Sequence, residues 1–378
     1  MGYVMGEDAS SGGDAGFLRR LGADTATVAD LLDAAETGTS GQGGDLVPGR
    51  VVRAERIAAE VATPSGVFLA RWDQPVCTGD WVVAEHSPLT VAGSGPDPSG
   101  ITGQIAHVRP RRTAFVRRSA DSDQPQVLAA NIDDIWIVVA ADEPLSPARL
   151  ERTLVLAWES GAQPVLVLTK TDRVGAAAIG EVRSVLAAVG PGVGGLPVSS
   201  VTGEGLRDLV ARVGPGRSAA LLGRSGAGKS TLVNALAGTA VAVGDVRARD
   251  GKGRHTTSWR ELVVLPGGGA LIDTPGLRGV GLWVDEGGLA AAFADITELA
   301  AACRFSDCAH DREPGCAVRA AIIAGSLDPA RLGRYLALSQ EAEDTETRSL
   351  ARIDARAQRA AAGRVARIRA NDRRRTRD

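Results

Sequence analysis

Apolar and polar positions divide the chain into a strand-rich stretch and an α/β stretch, with polar or small-residue ends. Between residues 46 and 118 the apolar runs are short: Gly49-Arg50-Val51-Val52, Gly66-Val67-Phe68-Leu69-Ala70, Asp80-Trp81-Val82-Val83-Ala84 and Gly103-Gln104-Ile105-Ala106-His107-Val108, with turns between them. About five short strands in such a span predict a small β-barrel of the OB type. Further along, Pro164-Val165-Leu166-Val167-Leu168, Ala219-Ala220-Leu221-Leu222 and Ala270-Leu271-Ile272 are continuously apolar, as buried strands of a parallel sheet are. Residues Thr231 to Ala237 have helical spacing and meet a stop at Gly238. The pattern predicts an α/β fold with a barrel in front of it.

Composition changes the picture mainly at the ends. At 378 residues the chain exceeds one typical domain, and its net charge of −2 hides an uneven distribution. Residues 1–45 hold Glu7, Asp8, Asp14, Asp24, Asp30, Asp33, Glu36 and Asp45 against Arg19 and Arg20, in a Gly/Ser/Ala-rich context. This predicts a largely disordered acidic extension, with room for a short helix around Leu18 to Leu32 and no assigned function. Residues 351–378 carry ten arginines against three aspartates and end in Arg373-Arg374-Arg375 before the last residues. Arg352, Arg356 and Arg359 share a helical face, which suits a phosphate backbone or, more plainly, a solvated surface. Arg109, Arg111, Arg112, Arg117 and Arg118 crowd the barrel's exit, where Trp72, Trp81 and Phe115 offer either stacking faces or core. No apolar leader or membrane-length run is present, so a cytoplasmic protein without membrane association is expected.

The chemistry begins with Gly223-Arg224-Ser225-Gly226-Ala227-Gly228-Lys229-Ser230-Thr231, a phosphate-binding loop between a strand and a helix. Its glycines let backbone N–H groups point at phosphate oxygens, and the helix start adds partial positive charge. Lys229 is expected to reach the outer phosphates and Ser230 to ligate Mg²⁺. Asp273 ends the run Ala270-Leu271-Ile272, where it can hold Mg²⁺ through water, while Gly276 offers its N–H to the terminal phosphate. Between them, Gly253-Arg254-His255-Thr256-Thr257 has the polar, glycine-dotted character of a switch, in which Thr256 or Thr257 gives Mg²⁺ a hydroxyl. Leu277 stands where many GTPases carry a water-orienting Gln, so intrinsic hydrolysis should be slow. His255 is the candidate for that task, against the plainer reading of a basic surface residue.

Thr169-Lys170-Thr171-Asp172 follows a buried strand and reads the base. The Asp172 carboxylate can accept both N1–H and the exocyclic amine of guanine, which adenine cannot supply. Lys170 packs its stem along the base plane. Thr169 stands where Asn is usual; it keeps one hydroxyl and lacks the amide's second partner, which predicts modest affinity. Ser199-Ser200, after Leu196-Pro197-Val198, forms the loop that backs the base. This segment precedes the phosphate loop, whereas in ordinary GTPases it follows, so the order is circularly permuted.

Cys303, Cys308, His310 and Cys316 lie within fourteen residues, and three thiolates with one imidazole match a closed, structural Zn²⁺ site. An odd thiol count argues against disulfide pairing. Cys77 stands apart as a small buried residue.

The permuted order, Gly253-Arg254-His255-Thr256-Thr257, Asp273-Thr274-Pro275-Gly276-Leu277 and the Cys/His spacing together resemble the ribosome small-subunit-dependent GTPase A family, from about residue 46 to about 340. The resemblance implies an OB barrel (46–118), a circularly permuted P-loop GTPase domain (125–285) and a zinc-binding α-helical domain (286–350), followed by the basic tail. It implies GTP/GDP, Mg²⁺ and one Zn²⁺ as ligands. It further implies late maturation of the 30S subunit, contact with 16S rRNA and stimulation of hydrolysis by that subunit, with the protein acting as a monomer. The rival readings are an RNA-binding assembly factor with incidental turnover, an adenine-nucleotide enzyme and a large-subunit GTPase.

Overall fold

A computed structural model describes residues 13–38, 44–55, 57–86, 100–118, 125–238, 261–273, 286–344 and 347. The expected switch residues His255, Thr256, Thr257, Gly276 and Leu277, and the arginines of the tail, lie outside the described residues.

The acidic leader is ordered over 13–38, which corrects the expectation of disorder there. It forms α1 (Gly13–Arg20) and α2 (Thr25–Thr37), the latter capped by Asp24, whose side chain accepts from Thr27 N at 2.7 Å. Leu18, Leu21, Val28 and Leu31 are buried in one core with Val52, Trp81 and Val83 of the barrel. A sparse apolar stripe is enough to offset the ordering cost when a partner surface is waiting; average composition does not register it. The single helix expected around Leu18 to Leu32 is broken at Gly22, at φ +96°, where a Cβ would meet Arg217 O at 2.8 Å.

The barrel closes in the order β1-β2-β3-β5-β4, from β1 (Asp45–Ala54), β2 (Ala58–Thr63), β3 (Gly66–Arg71), β4 (Trp81–His86) and β5 (Gly103–Val108). Its own core is small-residue rich: Val51, Ala59, Val61, Ala70, Val82, Ala84 and Ile105. Trp81 and Phe115 are buried, so neither offers a stacking face, while Trp72 is half-buried against the barrel core. Three of the exit arginines are also engaged. Arg109 pairs with Asp30 at 2.7 Å, Arg111 with the buried Asp80 at 2.7 Å, and Arg112 with both Asp24 and Asp133. The acidic leader supplies two of these carboxylates, Asp30 and Asp24, and so partly neutralises the basic cluster.

Arg50 on β1 is fully buried and ties three parts together. Its guanidinium donates to Gly79 O at 3.2 Å, to Leu21 O, to Asn131 O at 2.9 Å and to Ser218 Oγ at 3.1 Å, and lies 4.5 Å over the Trp81 ring. A buried cation so thoroughly paired fixes where its acceptors sit.

A hairpin of β6 (Ala114–Arg118) and β7 (Pro125–Ala130) leads into a six-stranded sheet. In chain order its elements are β8 (Asp134–Ala140), α3 (Pro147–Glu159), β9 (Gln163–Thr169), α4 (Ala176–Val189), β10 (Gly195–Pro197), α5 (Leu206–Arg212), β11 (Ser218–Gly223), α6 (Lys229–Leu236), β12 (Glu261–Val264) and β13 (Ala270–Asp273). The sheet order is β10-β9-β8-β11-β13-β12, parallel except for the β12–β13 edge. Both faces are covered, which is why the strands read as unbroken apolar runs. On β8, Ile135 and Ile137 face one core while Trp136 and Val138 face the other.

The chain continues into helices α7 (Glu286–Ala292), α8 (Ala294–Ala300), α9 (Ala317–Ile323) and α10 (329–344). Helix α7 packs on α3. From α10, Arg331 is buried against Glu151 of α3 at 3.0 Å and Asp295 at 2.7 Å, and also donates to Val189 O at the end of α4. No helix among the described residues is long and apolar enough to cross a membrane.

Candidate nucleotide site and metal cluster

Parallel strands deliver their carboxyl ends to one edge of the sheet, and ligands of such folds bind at that edge. The ends of β9, β8, β11 and β13 bring Thr169, Ala140, Gly223 and Asp273 to it. The phosphate loop leaves β11 at Gly223, where a Cβ would meet Val138 O at 2.5 Å, so only glycine lets the turn lie against β8. Gly228, at φ +92°, caps α6, and Lys229, Ser230 and Thr231 form the helix's first turn. Arg224, Ser225 and Gly226 are exposed, as are Ser230 and Thr231.

Lys229 Nζ lies across the loop, donating to Gly223 O at 2.8 Å and Arg224 O at 2.9 Å. Burial pushes its ammonium below the usual lysine range, opposed by the charge of Asp273. Burial likewise pushes the Asp273 carboxyl above the usual range, opposed by Lys229. Asp273 sits beside Leu221 of β11, so the Mg²⁺ candidates Ser230 and Asp273 flank the same loop. An oxygen pair of this kind suits a hard cation that keeps most of its waters.

The candidate base-reading segment, residues 169–172, is pressed against the glycine-rich loop. Thr169 Oγ1, buried, donates to Ala227 O at 2.6 Å and has Val139 O within 3.2 Å. A hydroxyl has one proton, so the shorter contact takes it. Lys170 adopts the left-handed conformation at φ 58°, and Thr171 to Arg173 form a 3₁₀ turn. The exposed Asp172 accepts through Oδ1 from Ser199 Oγ at 2.7 Å. Ser199 is buried, and its hydroxyl also receives Val201 N and Thr202 N, which fixes the loop that Ser200 belongs to. Thr169, Asp172, Ser199, Ala227 and Lys229 thus form one continuous edge.

Two residues here escaped sequence reasoning. Asp142 holds Lys170 and Arg173, and Glu143 holds Arg224. Both follow the apolar run 135–141, and the rule that parallel strands present chemistry at their carboxyl ends was signal enough to find them.

The metal cluster stands apart from the nucleotide edge. The ligand atoms of Cys303, Cys308, His310 and Cys316 all lie within 4.8 Å of one another. Cys303 Sγ is 3.9 Å from Cys316 Sγ and 3.7 Å from His310 Nδ1, which is 3.6 Å from Cys316 Sγ. A tetrahedron with metal–sulfur bonds of about 2.3 Å has edges of about 3.8 Å, so the donors fit a four-coordinate ion with no open position. His310 sits at φ 61°, and Cys316 caps α9 by accepting from Arg319 N at 3.4 Å.

Comparison with known proteins agrees with this geometry. The family described as RsgA GTPase matches residues 108–283. A protein of Streptomyces coelicolor, named small ribosomal subunit biogenesis GTPase RsgA, is 49% identical over 323 residues, spanning 82% of this chain and 84% of that protein. The chain belongs to the RsgA GTPase family. A relative of the same name from Xanthomonas axonopodis is 39% identical over 81% of this chain and 84% of its own length. The crystal structure of YjeQ from Thermotoga maritima superposes with a TM-score of 0.58, at 24% identity, over 79% of this chain and 98% of that one. The structure of YloQ, described as a circularly permuted GTPase, gives 0.57 at 23% identity, over 81% and 98% of the two chains. These two likenesses bear on the fold, which is the permuted arrangement of barrel, GTPase sheet and Cys₃His region.

Proposed function

We propose that this GTPase hydrolyses GTP to GDP and phosphate during late maturation of the small ribosomal subunit, contacts 16S rRNA, and is stimulated by the 30S particle. It acts in the cytoplasm as a monomer. The observation that best supports the nucleotide part is the Thr169–Ala227 hydrogen bond, because it joins the segment 169–172 to the glycine-rich loop along one edge of the sheet. The relatives' name supports the ribosomal part.

In this reading Asp172 binds the guanine N1–H and amine, with Ser199 and Ser200 backing the base. Gly223 to Thr231 cradle the phosphates and Lys229 reaches the outer ones. Ser230, Asp273 and Thr256 or Thr257 hold Mg²⁺, which when bound neutralises charge between the outer phosphates. Gly276 donates to the terminal phosphate and His255 orients water. Cys303, Cys308, His310 and Cys316 hold one structural Zn²⁺.

GTP turnover measured with and without purified 30S particles tests the ribosomal part. A rise of at least tenfold is expected; an unchanged rate favours an assembly factor with incidental turnover. Base reading is tested separately by competition between GTP and ATP. The Asp172→Ala variant should lose a guanine preference of about thirtyfold or more.

A further inference from the structure

The loop joining β8 to α3 leaves the sheet between the two halves of the nucleotide edge, because β8 lies between β9 and β11. Two successive side chains of that loop grip opposite halves. Asp142 accepts from Lys170 Nζ at 3.0 Å and from Arg173 Nη1 at 3.1 Å, both in the purine-reading segment. Glu143 accepts from Arg224 Nη1 at 2.8 Å, in the phosphate loop. Lys170 is also in the left-handed backbone region, which a lysine occupies where its surroundings hold it there. The cations, chiefly through the hydrogen bond from Lys170, hold the Asp142 carboxyl below its usual range.

We propose that Asp142 and Glu143 are positioning residues that brace the purine reader against the phosphate loop and so raise affinity for guanine nucleotides without touching them. The inference rests on the nucleotide-site reading given above. All of these side chains are partly exposed, so the pairs contribute little to folding. A nucleotide spanning both halves is a different matter: it must find them already at the right separation, and preorganisation of that kind appears in affinity.

The full-length chain is titrated with a fluorescent GDP analogue, and GTP turnover is followed without ribosomal particles. The variants are Asp142→Asn, Glu143→Gln, Asp142→Glu and, as a site control, Lys229→Ala. Asp142→Asn and Glu143→Gln should each raise Kd by about three- to tenfold. Their kcat at saturating GTP should fall by less than about twofold. The unfolding midpoint of the nucleotide-free protein should move by no more than about 2 °C. Asp142→Glu, which keeps the charge, should recover most of the lost affinity. Unchanged Kd in both neutral variants overturns the brace. So does a loss of affinity matched by a comparable loss of stability, or an Asp142→Glu variant as weak as Asp142→Asn. If Lys229→Ala binds as tightly as the parent chain, the nucleotide-site reading itself falls.

Discussion

At the scale of single residues, a hydroxyl does the joining. Thr169 stands in a position where an amide is usual, yet it reaches the phosphate loop's Ala227 carbonyl from a buried position. Removing that donor leaves a buried acceptor unpaired, a loss of about 1–2 kcal/mol. Thr169→Val should therefore weaken GDP binding by about five- to thirtyfold in a fluorescence titration, and Thr169→Ser should stay near the parent value. Residues of this kind were legible in the sequence because their chemistry is local to a motif: Lys229, Asp172 and Asp273 each follow a recognisable strand. For Asp142 and Glu143 only their place at a strand's carboxyl end was legible; their partners lie 28, 31 and 81 residues away, and only strand order brings them together. Trp81 and Phe115 mark the opposite failure. An aromatic near arginines looks the same in sequence whether it faces solvent or core, and here both are buried.

Elements were legible in proportion to how fully they are covered. Strands β9, β11 and β13 are sandwiched on both faces and betray themselves as apolar runs; β8, equally covered, has such a run too, though sequence reasoning did not single it out. Helices α1 and α2 bury one narrow stripe each, so their acidic composition spoke louder than their periodicity. The segment between α8 and α9 is a third case, since Cys316 is its one buried residue and the four donors of Cys303, Cys308, His310 and Cys316 converge in it. Strong chelation, or Cys308→Ser, should release bound zinc from about one equivalent to nearly none by elemental analysis. Amide exchange should then rise through 301–323 while β8, β9 and β11 stay protected. Loss of metal with exchange unchanged would show that packing alone supports this segment.

For the molecule as a whole, two buried arginines set how the domains sit. Arg331 carries the metal-binding region onto α3 and the end of α4, satisfied by Glu151, Asp295 and two backbone carbonyls. Arg331→Ala would strand the fully buried Glu151 carboxylate with Arg334 as its remaining cation. A cost of about 3–5 kcal/mol is expected in urea unfolding, with the transition broadening as the helical region separates from the sheet. Neither arginine announces itself in sequence, because a lone Arg in a strand or helix gives no hint that its acceptors come from elsewhere.

Arg50 has a consequence for synthesis. Two of its acceptors, Asn131 and Ser218, are encoded 81 and 168 residues downstream. At translation speeds of about 5–20 residues per second, the nascent guanidinium waits on the order of ten seconds for the strand that begins at Ser218. Until then Leu21 and Gly79 can satisfy only part of the guanidinium, and water must serve the rest. The chain thereby postpones sealing itself until the strand that leads into the glycine-rich loop has begun to emerge.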